Sequence, residues 1–179
     1  MRTVRTLAAA VCLAATMWSA PPVIRPAGDF TIADSSGKSH SVADARGKVV
    51  LIQFLYTTCA HCQAAARMYS KLAAELGPRG FEVLGVAFNT EVQQNPALVD
   101  EFVKANDVRF PVGSSGFQRV LDYLGLSVMK RFVVPQIVIV DRNGFMRAQS
   151  DAAGTPELQD ETYVRGLVDQ LLKEAPAGR

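Results

Sequence analysis

Residues 49–62 read VVLIQFLYTTCAHC and contain the most informative change of pattern in the chain. Residues 49–56 form an apolar run of strand length, rich in β-branched and aromatic side chains, which is typical of a strand buried on both faces. From residue 60 to 76 the chain changes to helix-forming residues at helical spacing, and a Gly-Pro pair stops the helix. The stretch therefore predicts a buried strand, a turn and a helix, with Cys59 and Cys62 at the start of that helix.

The flanking sequence continues this alternation of strands and helices. Parallel strands need crossover helices, whereas the last two strands need only the Asn143–Gly144 turn. We therefore expect an α/β domain over residues 26–174, with a central mixed sheet between helical layers. Cys59 then lies beyond the carboxyl end of a central strand, where open α/β sheets form their sites. The predicted elements are a β-hairpin over 27–41, strands over 81–88, 136–140 and 145–149, an extended piece over 110–112, and helices over 96–104 (capped by Asn95), 117–123 and 156–174.

Composition limits the function. The chain has 179 residues, of which 49% are apolar and 20% charged, as expected for one globular domain. From residue 21 onward there are 17 basic and 17 acidic side chains. This balance lacks the basic face that nucleic-acid binding needs, so we expect no nucleic-acid partner.

The N-terminus has the layout of a secretory signal. Arg2 and Arg5 precede an uncharged apolar run over 7–18, which is too short for a comfortable membrane span. We expect residues 1–20 to be a signal peptide or an uncleaved membrane tether, and residues 175–179 to be a flexible tail. Either form of the leader places the protein in the periplasm or another extracytoplasmic compartment.

The chemistry is predicted to reside in Cys59 and Cys62, the two cysteines that remain after the leader. They can pair with each other, bind a metal or stay as thiols. At a helix start, Cys59 faces unsatisfied backbone N–H groups and the positive end of the helix dipole, which favour its thiolate. Cys62 lies one turn along, so we expect Cys59 to attack and Cys62 to resolve the mixed disulfide. We expect the redox-active disulfide of this pair to serve the reaction without a separate cofactor.

Two further residues are candidates for adjusting this pair. A protonated His61 would place positive charge near the Cys59 sulfur and make the disulfide more oxidising. Alternatively, His61 faces solvent and has little effect. Pro135 follows Val134 at the start of a predicted strand, a position that needs no special explanation by itself.

Four segments together resemble the TlpA/ResA branch of the thioredoxin superfamily, which is also grouped with redoxin and AhpC/TSA-type domains. The resemblance implies a three-layer thioredoxin-like fold with an N-terminal β-hairpin and an inserted helix within residues 91–124. It also implies a cis Val134–Pro135 bond beside the cysteines, where the Val134 backbone pairs with an extended substrate peptide. The segments are 47–54 (GKVVLIQF), 58–62 (TCAHC), 134–135 (VP) and 139–144 (IVDRNG).

The resemblance further implies a thiol–disulfide oxidoreductase acting on exported proteins that carry thiols or disulfides. It implies a membrane or periplasmic thiol redox partner, and a role in cytochrome c maturation or envelope redox homeostasis. Three positions depart from the family pattern: Thr58 replaces Trp, Gln53 replaces the buried acid of thioredoxin, and Ala65 replaces a glutamate of the ResA type. We therefore expect Gln53, Thr58 and His61 to tune the pair. Either Gln53, water or another group replaces the usual proton acceptor for Cys62, or the pair has a different redox poise, and the motif leaves the direction of electron flow open.

Two other functions use the same cysteines. A thiol peroxidase of the peroxiredoxin kind has Pro and Thr before its reactive cysteine, where this chain has Ile52 and Tyr56. A copper(I) carrier would use the two thiolates as soft ligands. Structural zinc needs four ligands, and beyond the two cysteines only His40 and His61 are soft donors, so we expect no metal site.

Overall fold

The structure is a computed structural model that describes residues 24–176. The predicted leader lies outside the described residues, as does most of the predicted C-terminal tail. Within residues 24–176, no helix has the length and apolar character needed to cross a bilayer.

Eight strands and five α-helices form the domain. The strands are β1 (Arg25–Pro26), β2 (Thr31–Ala33), β3 (Ser39–Ser41), β4 (Val49–Leu55), β5 (Phe81–Ala87), β6 (Val112–Ser114), β7 (Gln136–Val140) and β8 (Phe145–Gln149). The helices are α1 (Ala60–Leu76), α2 (Thr90–Gln94), α3 (Ala97–Ala105), α4 (Phe117–Leu124) and α5 (Glu161–Lys173), with 3₁₀ turns at Gly77–Arg79 and Pro156–Gln159.

Six of the strands form one mixed sheet in the order β1-β8-β7-β4-β5-β6. The β4, β5 and β6 strands are parallel, whereas β7 is antiparallel to both β4 and β8. Side chains of β4 alternate between the two faces of the sheet. Leu51 and Leu55 pack with α1 and α5, while Ile52 and Phe54 pack with α4 and the N-terminal segment. The predicted three-layer thioredoxin-like fold is therefore confirmed, and β4 ends at the edge of the sheet where Cys59 lies.

The predicted N-terminal hairpin is present but forms its own two-stranded sheet, β2–β3. A single bridge between Asp34 and Gly113 joins it to the edge of the main sheet. The predicted extended piece at 110–112 is the lead-in to β6, which pairs with β5 through Val112–Ser114. A strand of three residues is too short to show a periodic pattern, so the sequence indicated an extended piece here but did not predict a strand.

Two helix starts differ from the prediction. The helix expected from residue 96 begins one residue later, at Ala97, although the predicted cap Asn95 does accept the Ala97 N–H at 3.2 Å. The last helix begins at Glu161 instead of 156, because the Asp160 carboxylate accepts the Tyr163 N–H at 2.8 Å and caps it. In addition, the sequence prediction missed α2, which has only five residues.

Candidate active site

Cys59 is the N-cap residue of α1. Its backbone N–H donates to the Tyr56 carbonyl at 3.1 Å, which closes the turn after β4. Its Sγ accepts a hydrogen bond from the Cys62 N–H at 3.2 Å, one of the helix donors that no backbone carbonyl satisfies. The sulfur therefore lies at the start of the helix within reach of a backbone donor, and the side chain is only half-buried.

Cys62 lies one turn further along and is fully buried. Burial raises the pKa of its thiol because a buried thiolate loses its solvation, and the neighbouring Cys59 sulfur raises it further. The Cys62 thiol therefore retains its proton at neutral pH. The two cysteines are both free thiols in this structure, one reachable from solvent and one shielded behind it.

The Val134–Pro135 peptide bond is cis, as predicted. The Val134 carbonyl oxygen lies 3.7 Å from the Cys59 Sγ, so the start of β7 meets the start of α1 across the site. Within residues 24–176 the Val134 N–H has no hydrogen-bond acceptor. The residue before the proline thus presents its backbone beside the reactive sulfur.

Gln53 projects from β4 toward α1 and is completely buried. Its Nε2 donates to the Cys62 carbonyl at 2.8 Å, while its Oε1 is buried without a partner in the described part of the chain. Cys62 interacts electrostatically with the side chains of Cys59, Tyr56 and Tyr69. A neutral amide therefore occupies the position where thioredoxin has its buried acid, and it contacts the backbone of Cys62.

Thr58 and His61 are both exposed. No ring atom of His61 forms a hydrogen bond or ion pair within the described chain, which is the geometry of the solvent-facing alternative. Tuning by these two residues stays a prediction. As expected from the sequence, Thr58 lies in the turn before α1 and His61 lies in the first turn of α1.

Two side chains that were not predicted from the sequence hold the turn before Cys59. The buried Asn89 accepts the Thr57 N–H at 3.3 Å, and the Gln63 Nε2 donates to the Thr57 carbonyl at 3.0 Å. Asn89 follows β5 at the same sheet edge as the cysteines. A polar residue directly after a buried strand was the available signal.

The four soft donors considered for a metal do not gather at one place. His40 lies on β3, where its Nε2 is 2.7 Å from Asp34 Oδ2. Across residues 24–176, no group of three or more His, Cys, Asp or Glu side chains is arranged to hold a metal ion.

A mixed α/β fold with a dithiol at a helix start, opposite a cis-proline, defines a thioredoxin-like protein. Residues 23–149 match the model of the AhpC/TSA family, and the chain belongs to that family. Both results agree with the resemblance stated from the motifs.

Curated relatives agree with this assignment. The chain is 23% identical over 143 residues to the thiol-disulfide oxidoreductase ResA of Bacillus thuringiensis subsp. konkukian, covering 80% of this chain and 77% of that protein. It is 27% identical over 118 residues to ResA of Geobacillus thermodenitrificans, covering 66% of this chain but only 63% of that protein.

Solved structures share the fold. The thioredoxin domain of a thiol-disulfide oxidoreductase from Bacteroides vulgatus superposes with a TM-score of 0.63 at 21% identity, covering 84% of this chain and 98% of that chain. A secreted disulfide oxidoreductase of Mycobacterium tuberculosis superposes with a TM-score of 0.59 at 19% identity, covering 78% and 94%.

Proposed function

We propose that this protein is a thiol–disulfide oxidoreductase in which Cys59 attacks and Cys62 resolves. The observation that carries the proposal is the asymmetry of the pair. The half-exposed Cys59 sulfur accepts a helix N–H at 3.2 Å, whereas Cys62 is buried with its pKa raised by burial. The activity named for the ResA relatives supports the same conclusion.

In the reducing direction, the Cys59 thiolate attacks one sulfur of a substrate disulfide. The substrate S–S bond breaks, a mixed disulfide forms, and the other substrate sulfur leaves as a thiolate that takes up a proton. Cys62 then loses its proton and attacks the Cys59 sulfur, which releases the second substrate thiol and forms the Cys59–Cys62 disulfide. Two electrons pass to the substrate, and the reverse sequence oxidises a substrate dithiol.

Within residues 24–176, no carboxylate is among the main interactions of the Cys62 thiol. Gln53 contacts the Cys62 backbone but, as a neutral amide, does not act as a base. The proton therefore passes to the departing substrate thiolate or to water. Gln53 is a positioning residue in this scheme, because it holds the first turn of α1 against β4.

The backbone of Val134 is the proposed substrate contact. Its carbonyl lies 3.7 Å from the Cys59 Sγ and its N–H has no acceptor within residues 24–176. An extended substrate segment can pair with these two groups as an added strand. Such pairing would hold the substrate sulfur beside Cys59.

We place this activity outside the cytoplasm, on exported proteins and with a membrane or periplasmic thiol redox partner. The signal-like layout of residues 1–20 supports export or tethering. Cytochrome c maturation and envelope redox homeostasis are the processes that such chemistry serves. Fusing residues 1–22 to a reporter that is active only outside the cytoplasm tests the placement, and an Arg2→Glu, Arg5→Glu leader is the matched control.

Reaction with a disulfide peptide tests the cysteine roles. The Cys62→Ser variant should accumulate a mixed disulfide through Cys59, visible as an added peptide mass that dithiothreitol removes. The Cys59→Ser variant should form none through Cys62, because the Cys62 thiol is buried. A Cys62→Ser variant that forms no adduct would show the assignment to be wrong, and equilibration of the wild type with glutathione gives its reduction potential.

A further inference from the structure

Exposed apolar side chains are concentrated on the segment that leads to the cis-proline. Val128, Met129 and Val133 are 62%, 89% and 45% exposed. Phe117, the first residue of α4, is 40% exposed. We call Phe117 and residues 128–133 the apolar rim. Single exposed apolar residues are ordinary, but a group of them on one surface marks an interaction site.

Aromatic contacts connect the rim to the active-site turn. The rings of Phe117 and Phe132 lie 6.1 Å apart, and both pack on the buried Phe88, at 5.9 and 6.3 Å. Phe88 also contacts the Tyr56 ring at 4.8 Å, and the Tyr56 carbonyl accepts the Cys59 N–H. The rim is therefore continuous with the segment that positions the reactive sulfur.

The rim is also positively charged. Lys130 and Arg131 are exposed, and neither forms an ion pair within the described residues. From residue 125 to 135 the sequence contains these two cations and no acidic side chain. An acidic partner would be attracted to this surface, and its association rate would fall with added salt.

We infer that the apolar rim docks the part of a protein substrate that flanks its reacting cysteine, and that this part carries an apolar and an acidic side chain. The inference rests on the proposed function and names its substrate class. A polypeptide fits the surface better than a lipid bilayer does. The unpaired Val134 N–H and its carbonyl adjoin the rim, and an extended backbone supplies the acceptor and donor that match them.

Three short peptides, each closed by one disulfide, test the inference. The first has Leu and Phe beside a cysteine and two Glu residues; the second has Lys in place of Glu; the third has Ser in place of Leu and Phe. Fully reduced protein is mixed with each, and the reaction is stopped with acid and analysed by mass spectrometry. We expect the first peptide to be reduced about 10-fold faster than the other two, the effect of burying roughly one aliphatic side chain or of attracting charge.

Variants of the rim assign the preference to named residues. Val128→Ser with Met129→Ser should remove the advantage of the apolar peptide over the Ser peptide. Lys130→Glu with Arg131→Glu should reverse the preference between Glu and Lys, most strongly at low salt. Tyr163→Ser is the matched control, because Tyr163 is 49% exposed on α5, outside the rim. It should leave all three rates unchanged.

The failure of this inference and the failure of the proposed function look different. If the wild type does not exchange with oxidised dithiothreitol, the proposed function fails. If that exchange proceeds but the three peptides react equally, the docking inference is overturned. It is also overturned if the rim variants leave the peptide rates unchanged but lose sedimentation with vesicles of anionic phospholipid, since the rim would then be a membrane contact.

Discussion

The Sγ of Cys59 lies 3.7 Å from the carbonyl oxygen of Val134, a residue 75 positions away in the chain. The same sulfur accepts the Cys62 N–H at 3.2 Å. Two backbone groups, one from α1 and one from the lead-in to β7, therefore contact the reactive atom. Both contacts are made by backbone groups. The immediate environment of Cys59 therefore depends on the path of the chain more than on which side chains lie nearby.

The difference in burial predicts selective alkylation. Iodoacetamide added to the folded, reduced protein at pH 7.5 should modify Cys59 and leave Cys62 unmodified, since Cys62 is fully buried and holds its proton. Peptide mapping by mass spectrometry measures the two sites. In the Cys59→Ser variant, alkylation of Cys62 should require urea. Equal labelling of both cysteines in the folded wild type would contradict the assignment of a shielded thiol.

The raised pKa of Cys62 predicts a loss of stability at alkaline pH. An unfolded thiol releases its proton near pH 8.5, whereas the buried thiol keeps it to higher pH, so rising pH favours the unfolded state. The free energy of unfolding of the reduced protein should fall between about pH 8.5 and 10.5, by up to about 1.4 kcal/mol per pH unit from this group. Urea unfolding at several pH values measures it.

The Cys62→Ala variant is the control for that measurement. It lacks the buried thiol but keeps Cys59. The difference in the free energy of unfolding between the variant and the wild type should therefore be constant below pH 8 and should change above it. Parallel curves up to pH 10.5 would show that Cys62 ionises as readily in the folded protein as in the unfolded chain.

Replacing Gln53 should separate the effects of charge and hydrogen bonding. Gln53→Leu removes the 2.8 Å hydrogen bond to the Cys62 carbonyl, but it also removes the buried Oε1, which has no partner in the described part of the chain. Because these effects oppose each other, the free energy of unfolding should fall by about 1 kcal/mol or less. Gln53→Glu places a carboxylate in the same buried position and should cost more at pH 7 than at pH 5, where the acid is protonated. Urea unfolding at both pH values checks this. A Glu variant equally stable at both would mean that water reaches the site.

Arg147 should be the most sensitive charged position of the domain. Its buried guanidinium bridges Asp141, at 2.9 Å, and Glu174, at 2.5 Å, which ties β8 and the turn before it to the end of α5. Arg147→Met removes the cation that pairs with the buried Asp141 carboxylate, so the free energy of unfolding should fall by about 3 kcal/mol. Glu174→Gln alters the more exposed partner and should cost about 1 kcal/mol or less. Equal losses in chemical unfolding would argue against this difference.

Gly113 should tolerate no side chain. A Cβ there would overlap the carbonyl oxygen of Ala33, because the hairpin crosses the edge strand β6 at this point. Gly113→Ala should lower the free energy of unfolding by about 2 kcal/mol. Gly77→Ala is the control, since a Cβ at Gly77 meets nothing within 4 Å, and it should be neutral or slightly stabilising. Thermal unfolding that ranks the two variants the other way would contradict the close approach.

Local patterns in the sequence were sufficient for the β4–α1 unit, for the pair of cysteines at its junction and for the β7–β8 hairpin. In each case the deciding residues are neighbours along the chain: an apolar run, a helical repeat, or an Asn-Gly turn. The boundaries of α1 match the prediction at both ends. The cis-proline also followed from the sequence, but only through the family resemblance.

Contacts between groups that are distant in the sequence followed from the packing of the whole domain. This packing paired the three-residue β6 with β5, separated the hairpin from the main sheet, and brought Val134 to Cys59. Among the described residues it also left the buried Gln53 Oε1 without a hydrogen-bond partner, and it assembled the apolar rim. The physical reason is that a local sequence pattern shows which faces of a segment are buried. Which distant group a buried side chain contacts depends instead on how the sheet and the helical layers pack. The sequence alone therefore indicated where the thiols lie, and the packing decided which backbone and side chains surround them.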